Sequence, residues 1–280
     1  MKVSVIIPAY DEEMVIGECL KSLSKQSYKN TEVIVVDDGS TDKTLEKVSL
    51  FTNHYSPITL LRQKHLGAGA ARNLGVKKAT GDILVFVDAD MTFDKNFISK
   101  LIKPIIQGEA IGTFSKDEYL ANKDNVWARC WNINRGFPSN KMHADNYPDS
   151  QKVFRAIKRE DFLKVGGFNE KAGYNDDWSL VDKLGVEAIT APDAIFYHKN
   201  PESLSEVFTQ SRWMAKRRYK LGVVGSVFAL FRVSFPVSVV IGLILAINHQ
   251  QLIFIVFKLV SDLGQFIGIL EYVLFGKVSK

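Results

Sequence analysis

The sequence predicts an α/β fold, in which a mostly parallel sheet is flanked by helices and followed by a hydrophobic helical tail. Short apolar, β-branched runs at residues 3–7, 31–36, 58–61 and 83–87 alternate with helical patterns, as in βαβ units. Acidic or small residues follow directly after three of these runs, and ligands bind at the carboxyl ends of parallel strands. From residue 222 onward apolar residues dominate the chain.

The first elements are placed by the residues at their ends. Residues 3–7 form a continuous apolar run closed by a proline, which is typical of a buried parallel strand. Residues 12–24 have the period of an amphipathic helix, with Asp11 as its candidate N-cap. Residues 67–79 predict a helix of small residues, and we expect Gly81 to form a left-handed cap after it.

The pattern between residues 94 and 201 is less regular. We expect a helix after Asp94 and a short helix at residues 178–184. Strands are predicted near residues 110–114, 153–157 and 194–197, and a polar loop at residues 132–150. Ser203 and Glu206 have the spacing of a capping box, which predicts a helix running toward Lys220.

The composition excludes several classes of protein. The chain has 280 residues, of which 46% are hydrophobic and 24% charged, so it is globular rather than disordered. Its formal charge of +5 is mild, whereas a nucleic-acid binder would carry a denser stripe of basic and aromatic residues. Only Cys19 and Cys130 are present, which favours a reducing, intracellular setting. Because the first apolar run is too short for a secretion signal, we expect the globular part to face the cytoplasm.

Asp88 and Asp90 follow the fourth predicted strand with one residue between them. Side chains alternate along a strand, so both carboxylates point to the same side if the chain stays extended. They then repel each other unless a cation or a set of hydrogen-bond donors lies between them. A divalent ion such as Mg2+ or Mn2+, held by one or two carboxylates and a substrate diphosphate, meets that need. The alternative is that both acids only cap a helix or line a loop.

Two further motifs allow more than one interpretation. Residues 37–40 (DDGS) favour a turn, and their acids are also suited to accept hydrogen bonds from a ribose or a base. The glycines at positions 67 and 69 match part of a dinucleotide-binding fingerprint, but Arg72 replaces the third glycine and the motif follows the third strand. We therefore reject a nicotinamide cofactor and expect a closely packed helix whose Arg72 is directed at a phosphate.

These motifs occur in a specific order along the chain. The segments are residues 5–12 (VIIPAYDE), 35–42 (VVDDGSTD), 69–75 (GAARNLG), 88–90 (DAD), 165–170 (VGGFNE), 175–177 (NDD) and 210–213 (QSRW). The ordered set resembles the family 2 glycosyltransferases of the GT-A fold, over roughly residues 1–220. Each segment alone is unspecific, whereas the ordered set is highly specific.

The resemblance implies a nucleotide-diphosphate sugar as donor and assigns roles to residues at the strand ends. The residues expected to bind the nucleotide sugar are Pro8, Ala9, Tyr10, Glu12, Asp38, Arg72, Asp88 and Ala89. Asp88 and Asp90 correspond to the family's metal and diphosphate acids. His198 falls where many members place a histidine that helps to bind the metal, although a lone histidine is as often structural.

The family also has a Glu-Asp pair before its catalytic helix, and the Asp of that pair is the base. By resemblance Asp177 is the catalytic base here, and Asp176 departs conservatively from the pattern; Asp177 as a plain helix cap is the alternative. Arg212 and Trp213 resemble a Gln-x-x-Arg-Trp motif on the acceptor or leaving-group side. One residue is missing between Gln and Arg, so an interfacial tryptophan beside a basic residue is the other interpretation.

The expected organisation is a catalytic domain followed by a membrane-associated helical hairpin at residues 221–280. The catalytic domain covers residues 1–220, with a nucleotide-sugar-binding half at 1–93 and an acceptor half at 94–220. In the tail, apolar segments at 222–247 and 251–275 are each long enough to span a membrane as antiparallel helices. Basic residues before the first segment and after the second place both ends on the cytoplasmic side.

Charged residues inside the tail oppose simple spanning. Lys258, Ser261, Asp262 and Gln265 fall on one helical stripe, which must meet protein or water. This stripe is placed to pair with Arg232 or to line an acceptor path. Alternatively, the tail lies in the membrane interface as an amphipathic pair.

The expected reaction is inverting transfer of a hexose from a UDP- or GDP-type sugar nucleotide to a hydroxyl, with Mg2+ or Mn2+ as cofactor. We expect a membrane- or lipid-linked glycan as acceptor, since a polyprenyl phosphate is already ionised and needs no base such as Asp177. A polyprenyl-phosphate glycosyltransferase and a non-catalytic nucleotide-sugar-binding membrane protein are the alternatives. Nucleic acid is not an expected partner.

Overall fold

The fold is taken from a computed structural model of the chain. The structure describes residues 1–54, 58–144, 146–170, 178–276 and 278. The chain divides into two compact units. The first unit comprises Met1–Tyr119 and Asp145–His198, and the second comprises Leu120–Ala144 and Lys199–Lys280.

An eight-stranded sheet forms the centre of the first unit. Its strands are β1 (Val3–Ala9), β2 (Thr31–Asp37), β3 (Ile58–Arg62), β4 (Ile83–Phe86), β6 (Gly112–Phe114), β8 (Ser150–Gln151), β9 (Ala156–Lys158) and β10 (Ala188–Thr190). Their order is β3-β2-β1-β4-β9-β6-β10-β8. The β1–β2, β1–β4, β2–β3 and β6–β10 pairs are parallel, whereas β9 is antiparallel to β4 and β6, and β8 to β10. The predicted mostly parallel α/β sheet is confirmed.

A small second sheet was not predicted. It consists of β5 (Met91–Phe93), β7 (Glu118–Leu120) and β11 (Phe196–His198), in the order β5-β11-β7. β5 begins directly after Asp90, and β11 ends at His198, so this sheet places two predicted site residues at its ends. β5 and β11 are antiparallel, with Met91 opposite His198.

Helices cover both faces of the large sheet. In the first unit they are α1 (Ile16–Ser24), α2 (Thr44–His54), α3 (Ala68–Lys78), α4 (Phe97–Leu101), α5 (Lys103–Ile106), α7 (Arg159–Lys164) and α8 (Ser179–Leu184). Val5 and Ile7 of β1 share a core with Leu20 of α1, and Ile6 belongs to the other core with Val76 of α3. Because alternate residues are buried on opposite faces, β1 is apolar at nearly every position.

Two predicted helix ends are wrong. α1 begins at Ile16 rather than near residue 12, because Asp11 is in the left-handed region (φ 54°) and accepts a hydrogen bond from the Thr41 amide at 2.8 Å instead of capping the helix. After α3, Ala79 leaves the helix in an extended conformation, so Gly81 is not a left-handed cap. Gly81 is instead required by space, since a Cβ there would lie 2.6 Å from the Ser4 amide nitrogen.

The second unit is helical. Its helices are α6 (Val126–Asn134), α9 (Leu204–Ala215), α10 (Gly222–Arg232), α11 (Phe235–Asn248) and α12 (Ile253–Phe275). α6 was not predicted, and Asn125 caps it by accepting from the amides of Trp127 and Ala128. The predicted cap of α9 is confirmed, because Ser203 Oγ accepts from the Glu206 amide at 3.2 Å.

The tail differs from the predicted pair of continuous helices. Residues 222–247 are broken between α10 and α11, which are bent by 55°. Pro236 lies in the first turn of α11 and has no amide hydrogen to donate to the preceding turn, so the helix cannot run through it. Among the described helices α12 is long and apolar enough to cross a membrane by length and composition, and α10 with α11 qualifies only as a bent pair.

α11 and α12 are antiparallel, as predicted. Ser238 near the start of α11 contacts Asp262, and Gly242 further along lies against Ile255 and Lys258. The predicted polar stripe of α12 meets protein: Lys258, Ser261 and Asp262 are all buried. α9, assigned from the sequence to the catalytic domain, packs on α12 in the second unit. The domain boundaries at residues 93 and 220 stay predictions.

Candidate active site

The carboxyl ends of β1, β2 and β4 bring the predicted site residues of the first unit to one edge of the sheet. Ala9, the last residue of β1, is opposite Asp37, and its carbonyl accepts a hydrogen bond from the Asp38 amide at 2.8 Å. Pro8 and Ala9 therefore belong to the strand, whereas Tyr10 and Glu12 follow it in the adjoining loop. Asp88, Ala89 and Asp90 follow β4 at the same edge.

Asp38 organises the segment after β3. Its Oδ1 accepts from Gln63 Nε2 at 2.6 Å and from the Leu66 amide at 2.9 Å, and Oδ2 accepts from the Gly67 amide at 2.8 Å. The carboxylate is buried, so these donors stabilise its charge. Asp38 thereby connects the end of β2 to the start of α3.

His65 joins this group although sequence reasoning missed it. Its ring stacks on Tyr10 with centroids 3.9 Å apart, and its Nδ1 lies 3.0 Å from Asp38 Oδ2 without forming a hydrogen bond. Tyr10 is 41% exposed. An open surface pocket adjoins the pair and is lined by Gly39, Arg62, Gln63, Lys64 and His65. A partly exposed aromatic pair beside an open pocket suits a planar ligand.

Asp88 is held by two arginines. Arg72 of α3 donates to its Oδ1 at 2.8 Å, and Arg155, just before β9, donates to its Oδ2 at 3.0 Å. Burial raises the pKa of Asp88, but the charges of Arg155 and Arg72 outweigh burial and hold that pKa well below its usual range. Asp88 is therefore ionised, with each carboxylate oxygen bonded to a guanidinium. Arg155 was missed because it is 67 residues away in sequence.

The side chains of Asp88 and Asp90 do not point to the same side. The chain turns at residues 89–90 instead of staying extended, so the alternation expected along a strand does not apply. Asp90 Oδ2 lies 2.8 Å from His198 Nε2, and His198 Nδ1 lies 2.9 Å from Glu118 Oε1. Burial lowers the pKa of His198, but Asp90 and Glu118 raise it well above its usual value. Glu118, like His65 and Arg155, was not expected from the sequence.

Asp90 and His198 fit one side of a divalent metal site. Asp90 Oδ1 is buried and has no hydrogen-bond partner within the described part of the chain. Glu118 bonds to the opposite ring nitrogen and thus orients Nε2 toward Asp90, as carboxylates do for metal-binding histidines. The described residues contain no cluster of three or more acidic, histidine or cysteine ligands. Among the described residues, Asp90 and His198 would be the protein's ligands, and a substrate diphosphate and water could supply others.

Glu12 lies close to these acids. Burial, followed by the charges of Asp90 and Asp88, raises the pKa of Glu12 to about 8. Its amide donates to Thr44 Oγ1 at 2.7 Å, which fixes the loop after β1 against the start of α2. With Glu12 neutral at pH 7, the site carries less negative charge than its acidic residues suggest.

Four predicted site residues remain. Asp176 and Asp177 lie outside the described residues. Arg212 and Trp213 belong to α9 in the second unit, where the Arg212 guanidinium bonds to Glu271 of α12 and Lys216 lies 2.8 Å from the same carboxylate. The acceptor-side role of Arg212 and Trp213 stays a prediction.

Comparison with known families decides the classification. The sequence model of glycosyl transferase family 2 matches residues 4–166, more than half of the chain. The chain belongs to family 2 of the glycosyltransferases. The matched region includes Tyr10, Asp38, Asp88, Asp90 and Arg155, so most of the candidate site lies inside it.

Curated glycosyltransferases are similar to this chain over part of their length. The probable glycosyltransferase YdaM of Bacillus subtilis is 30% identical over 242 residues, covering 78% of this chain and 56% of YdaM. Glycosyltransferase GlyA of Streptococcus pneumoniae is 37% identical over 109 residues, covering 39% of this chain and 16% of GlyA. This family 2 chain thus spans from about a sixth to just over half of these two proteins.

Solved structures confirm the GT-A fold. The mannosyltransferase PcManGT of Pyrobaculum calidifontis, in complex with GDP-Man and Mn2+, aligns with a TM-score of 0.60 at 20% identity, covering 94% of this chain and 86% of that protein. Residues 1–349 of TarS from Staphylococcus aureus, in complex with UDP-GlcNAc, align with a TM-score of 0.58 at 18% identity, covering 100% and 93%. At these identities the likeness concerns the fold.

Proposed function

We propose that this protein transfers a hexose from a nucleotide-diphosphate sugar to a hydroxyl acceptor with inversion at the anomeric carbon. The observation that carries the proposal is the buried, unpartnered Oδ1 of Asp90 beside a histidine oriented by Glu118. The family membership supports sugar transfer. The ligands of the two structural neighbours, UDP-GlcNAc and GDP-Man, support a UDP- or GDP-type donor.

The nucleotide is assigned to the edge formed by the loops after β1, β2 and β3. The Tyr10–His65 pair beside the open pocket provides an aromatic surface for the base. Asp38 acts by holding residues 63–67 in place, so its contribution to binding is indirect as well as direct. Pro8, Ala9 and Ala89 contribute backbone at the strand ends.

Mg2+ or Mn2+ is assigned to Asp90 and His198. A bound metal ion would stabilise the charge that develops on the leaving diphosphate. Asp88 was expected to share this role, but both its carboxylate oxygens are bonded to arginines. We therefore assign Asp88 to positioning Arg72 and Arg155 near the phosphates rather than to holding the metal.

The base is assigned to Asp177 on the resemblance to the family, with Asp176 beside it. Asp177 removes the proton from the acceptor hydroxyl while the hydroxyl oxygen forms a bond to the anomeric carbon. The bond between that carbon and the diphosphate oxygen breaks, and the nucleoside diphosphate leaves from the opposite face. A single displacement of this kind inverts the anomeric configuration.

The acceptor is proposed to be a membrane- or lipid-linked glycan, with the catalytic domain on the cytoplasmic face. The apolar α12 supports a membrane setting. A polyprenyl phosphate is the alternative acceptor, and it would not need Asp177 because it is already ionised. A non-catalytic nucleotide-sugar-binding membrane protein is the alternative from another class.

A screen of UDP- and GDP-sugars for thermal stabilisation and donor hydrolysis, with and without Mn2+, tests the proposal. Asp90→Asn should remove the Mn2+-dependent part of nucleotide binding, because a neutral amide is a poorer ligand for a hard cation. Asp161→Asn, on α7, is the matched control. Unchanged Mn2+-dependent stabilisation in Asp90→Asn contradicts the metal assignment.

The Asp177→Asn variant distinguishes the proposed enzyme from the alternative of a non-catalytic binding protein. The amide cannot accept the proton, so the transfer rate should fall by about a hundredfold, with nucleotide affinity near normal. If affinity collapses while the rate per bound donor survives, Asp177 is structural. If the wild-type protein binds donors but transfers to neither water nor any tested acceptor, the non-catalytic alternative holds.

A further inference from the structure

The α11 helix of the second unit has an inverted burial pattern. In α11 the buried residues are Ser238, Gly242 and Ala246, which are small and spaced by four. The large apolar residues of the same helix point outward: Ile244 is 50% exposed and Ile247 is 74% exposed. A helix in water shows the opposite arrangement, with its large apolar residues inside.

α12 buries polar and charged groups alongside large apolar side chains such as Phe254 and Phe257. Lys258 Nζ lies 2.9 Å from Asp262 Oδ1, and Ser238 Oγ donates to Asp262 Oδ2 at 2.7 Å. Ser261 Oγ lies 3.0 Å from Ser211 Oγ of α9. The polar groups of α12 are thus paired inside the helical unit, while Leu263 is 53% exposed on its outside. Small residues between helices and inward, paired polar groups are typical of helices surrounded by lipid.

The outward residues include many large apolar side chains. We define an apolar surface by six large side chains that are each at least half exposed: Phe228, Phe231, Phe235, Ile244, Ile247 and Leu263. They come from all three tail helices. Clustered exposed apolar side chains are a mark of interaction sites.

The charge of the second unit favours an anionic lipid as the partner. Its sequence contains 14 Lys and Arg but only 5 Asp and Glu, so its formal net charge is +9, whereas that of the whole chain is +5. The rest of the chain is therefore negative. Arg217, Arg218 and Lys220 lie directly before α10, so basic residues adjoin the apolar surface. Basic residues beside an apolar surface bind anionic headgroups.

The packing of α9 on α12 argues against α12 crossing a membrane. A Cβ on Gly264 of α12 would lie 2.5 Å from the Phe208 carbonyl oxygen of α9, and Glu271 bonds to Arg212 and Lys216. Residues 261–271 of α12 therefore lie beside α9, whose exposed positions include Glu206 and Gln210. The preceding residues, 253–260, extend only about 12 Å at 1.5 Å per residue. The hydrocarbon core is about 30 Å thick.

We propose that the second unit is monotopic, with its apolar surface embedded in one leaflet of an anionic bilayer and no helix crossing it. α10 and α11 fit this arrangement, because each is too short to span and the two are bent by 55°. The proposal deepens the membrane setting of the proposed function. It does not depend on the sugar-transfer chemistry, which donor hydrolysis tests separately.

Vesicle binding tests the surface. Full-length protein is mixed with preformed phosphatidylcholine vesicles, with and without phosphatidylglycerol, and the bound fraction is measured by flotation. Binding should require phosphatidylglycerol, and Ile244→Asp should weaken it at least about tenfold. Ile106→Asp, an exposed apolar position in α5 of the first unit, should bind like the wild type. If Ile244→Asp instead converts a dimer into a monomer with unchanged vesicle binding, the surface is a self-association site and the proposal is wrong.

Labelling of the α11–α12 connection tests the topology. Asn248 is exposed, and the natural cysteines Cys19 and Cys130 are buried. In vesicle-bound Asn248→Cys, a membrane-impermeant maleimide should react without detergent, as it does with Glu160→Cys on the first unit. Reaction of Asn248→Cys only after detergent is added would place the connection across the bilayer and overturn the monotopic arrangement. Donor hydrolysis by the same samples shows whether sugar transfer is intact in either case.

Discussion

Glu118 shows how one buried carboxylate prepares its neighbour. It contacts Nδ1 of His198, which leaves Nε2 directed at Asp90. The two acids lie on opposite sides of the imidazole, so Glu118 orients the ring without competing for the metal ion proposed at Asp90. Asp88 acts differently, because Arg72 and Arg155 neutralise it.

Replacing Glu118 tests this orientation. Glu118→Gln keeps a hydrogen-bonding group of similar size but removes the charge that supports the imidazole. The dissociation constant for Mn2+, measured by titration in the presence of the nucleoside diphosphate, should rise about ten- to a hundredfold. Glu160→Gln on α7 should leave it unchanged. Equal Mn2+ affinity in Glu118→Gln and wild type would show that Glu118 has no part in metal binding.

The contact between α9 and α12 depends on two glycines four residues apart. Gly264 and Gly268 let the α9 backbone approach α12 at Phe208 and Arg212. A Cβ on Gly268 would overlap the Arg212 carbonyl oxygen and lie 2.9 Å from the Ala215 Cβ. Neither neighbour is the end of a flexible side chain, so the helices themselves would have to separate.

The same substitution in two helices should therefore have different effects on stability. Gly268→Ala should lower the free energy of unfolding by about 1–3 kcal/mol through overpacking. Gly17→Ala in α1 should be neutral or raise it by up to about 1 kcal/mol, because the new Cβ meets Phe51 at an ordinary 3.6 Å and alanine favours helix. Thermal unfolding of both variants measures the difference. A Gly268→Ala variant as stable as Gly17→Ala would contradict the close packing of α9 and α12.

At the scale of the whole molecule, the chain alternates between its two units. It leaves the first unit at Tyr119, returns at Asp145 and leaves again after His198. α9 therefore belongs with the tail helices, and its buried residues Val207, Ser211 and Ala215 pack within the second unit.

A shortened chain tests where the catalytic domain ends. A chain ending at Lys220 retains α9 but lacks α12, so the buried side of α9 becomes exposed to water. Amide hydrogen exchange in residues 204–215 should become at least about tenfold faster, while exchange in β1 and β4 stays as in the full chain. Unchanged protection of α9 in the shortened chain would support the predicted domain boundary at residue 220.

Local patterns made much of the first unit predictable. β1, β2 and β4 are apolar runs because both faces of the sheet are covered, and the site residues follow the strands because parallel strands end at one edge. The wrong predictions concerned single elements. Asp11 has the residue type of an N-cap, but its carboxylate bonds to Thr41, thirty residues later. α6 lies beside a stretch rich in turn-forming residues and was missed.

The sequence by itself determined the α/β class, the family and the edge of the sheet at which the site lies, because period and strand-end chemistry are properties of neighbouring residues. Only the tertiary structure decided which residues contact the acids and the histidine of the site. Arg155 reaches Asp88 and Glu118 reaches His198 across 67 and 80 residues, distances over which no local pattern carries information. The tail shows the same limit. Its polar stripe was visible in the sequence, but whether those groups met lipid, water or protein depended on where α9 and α11 pack.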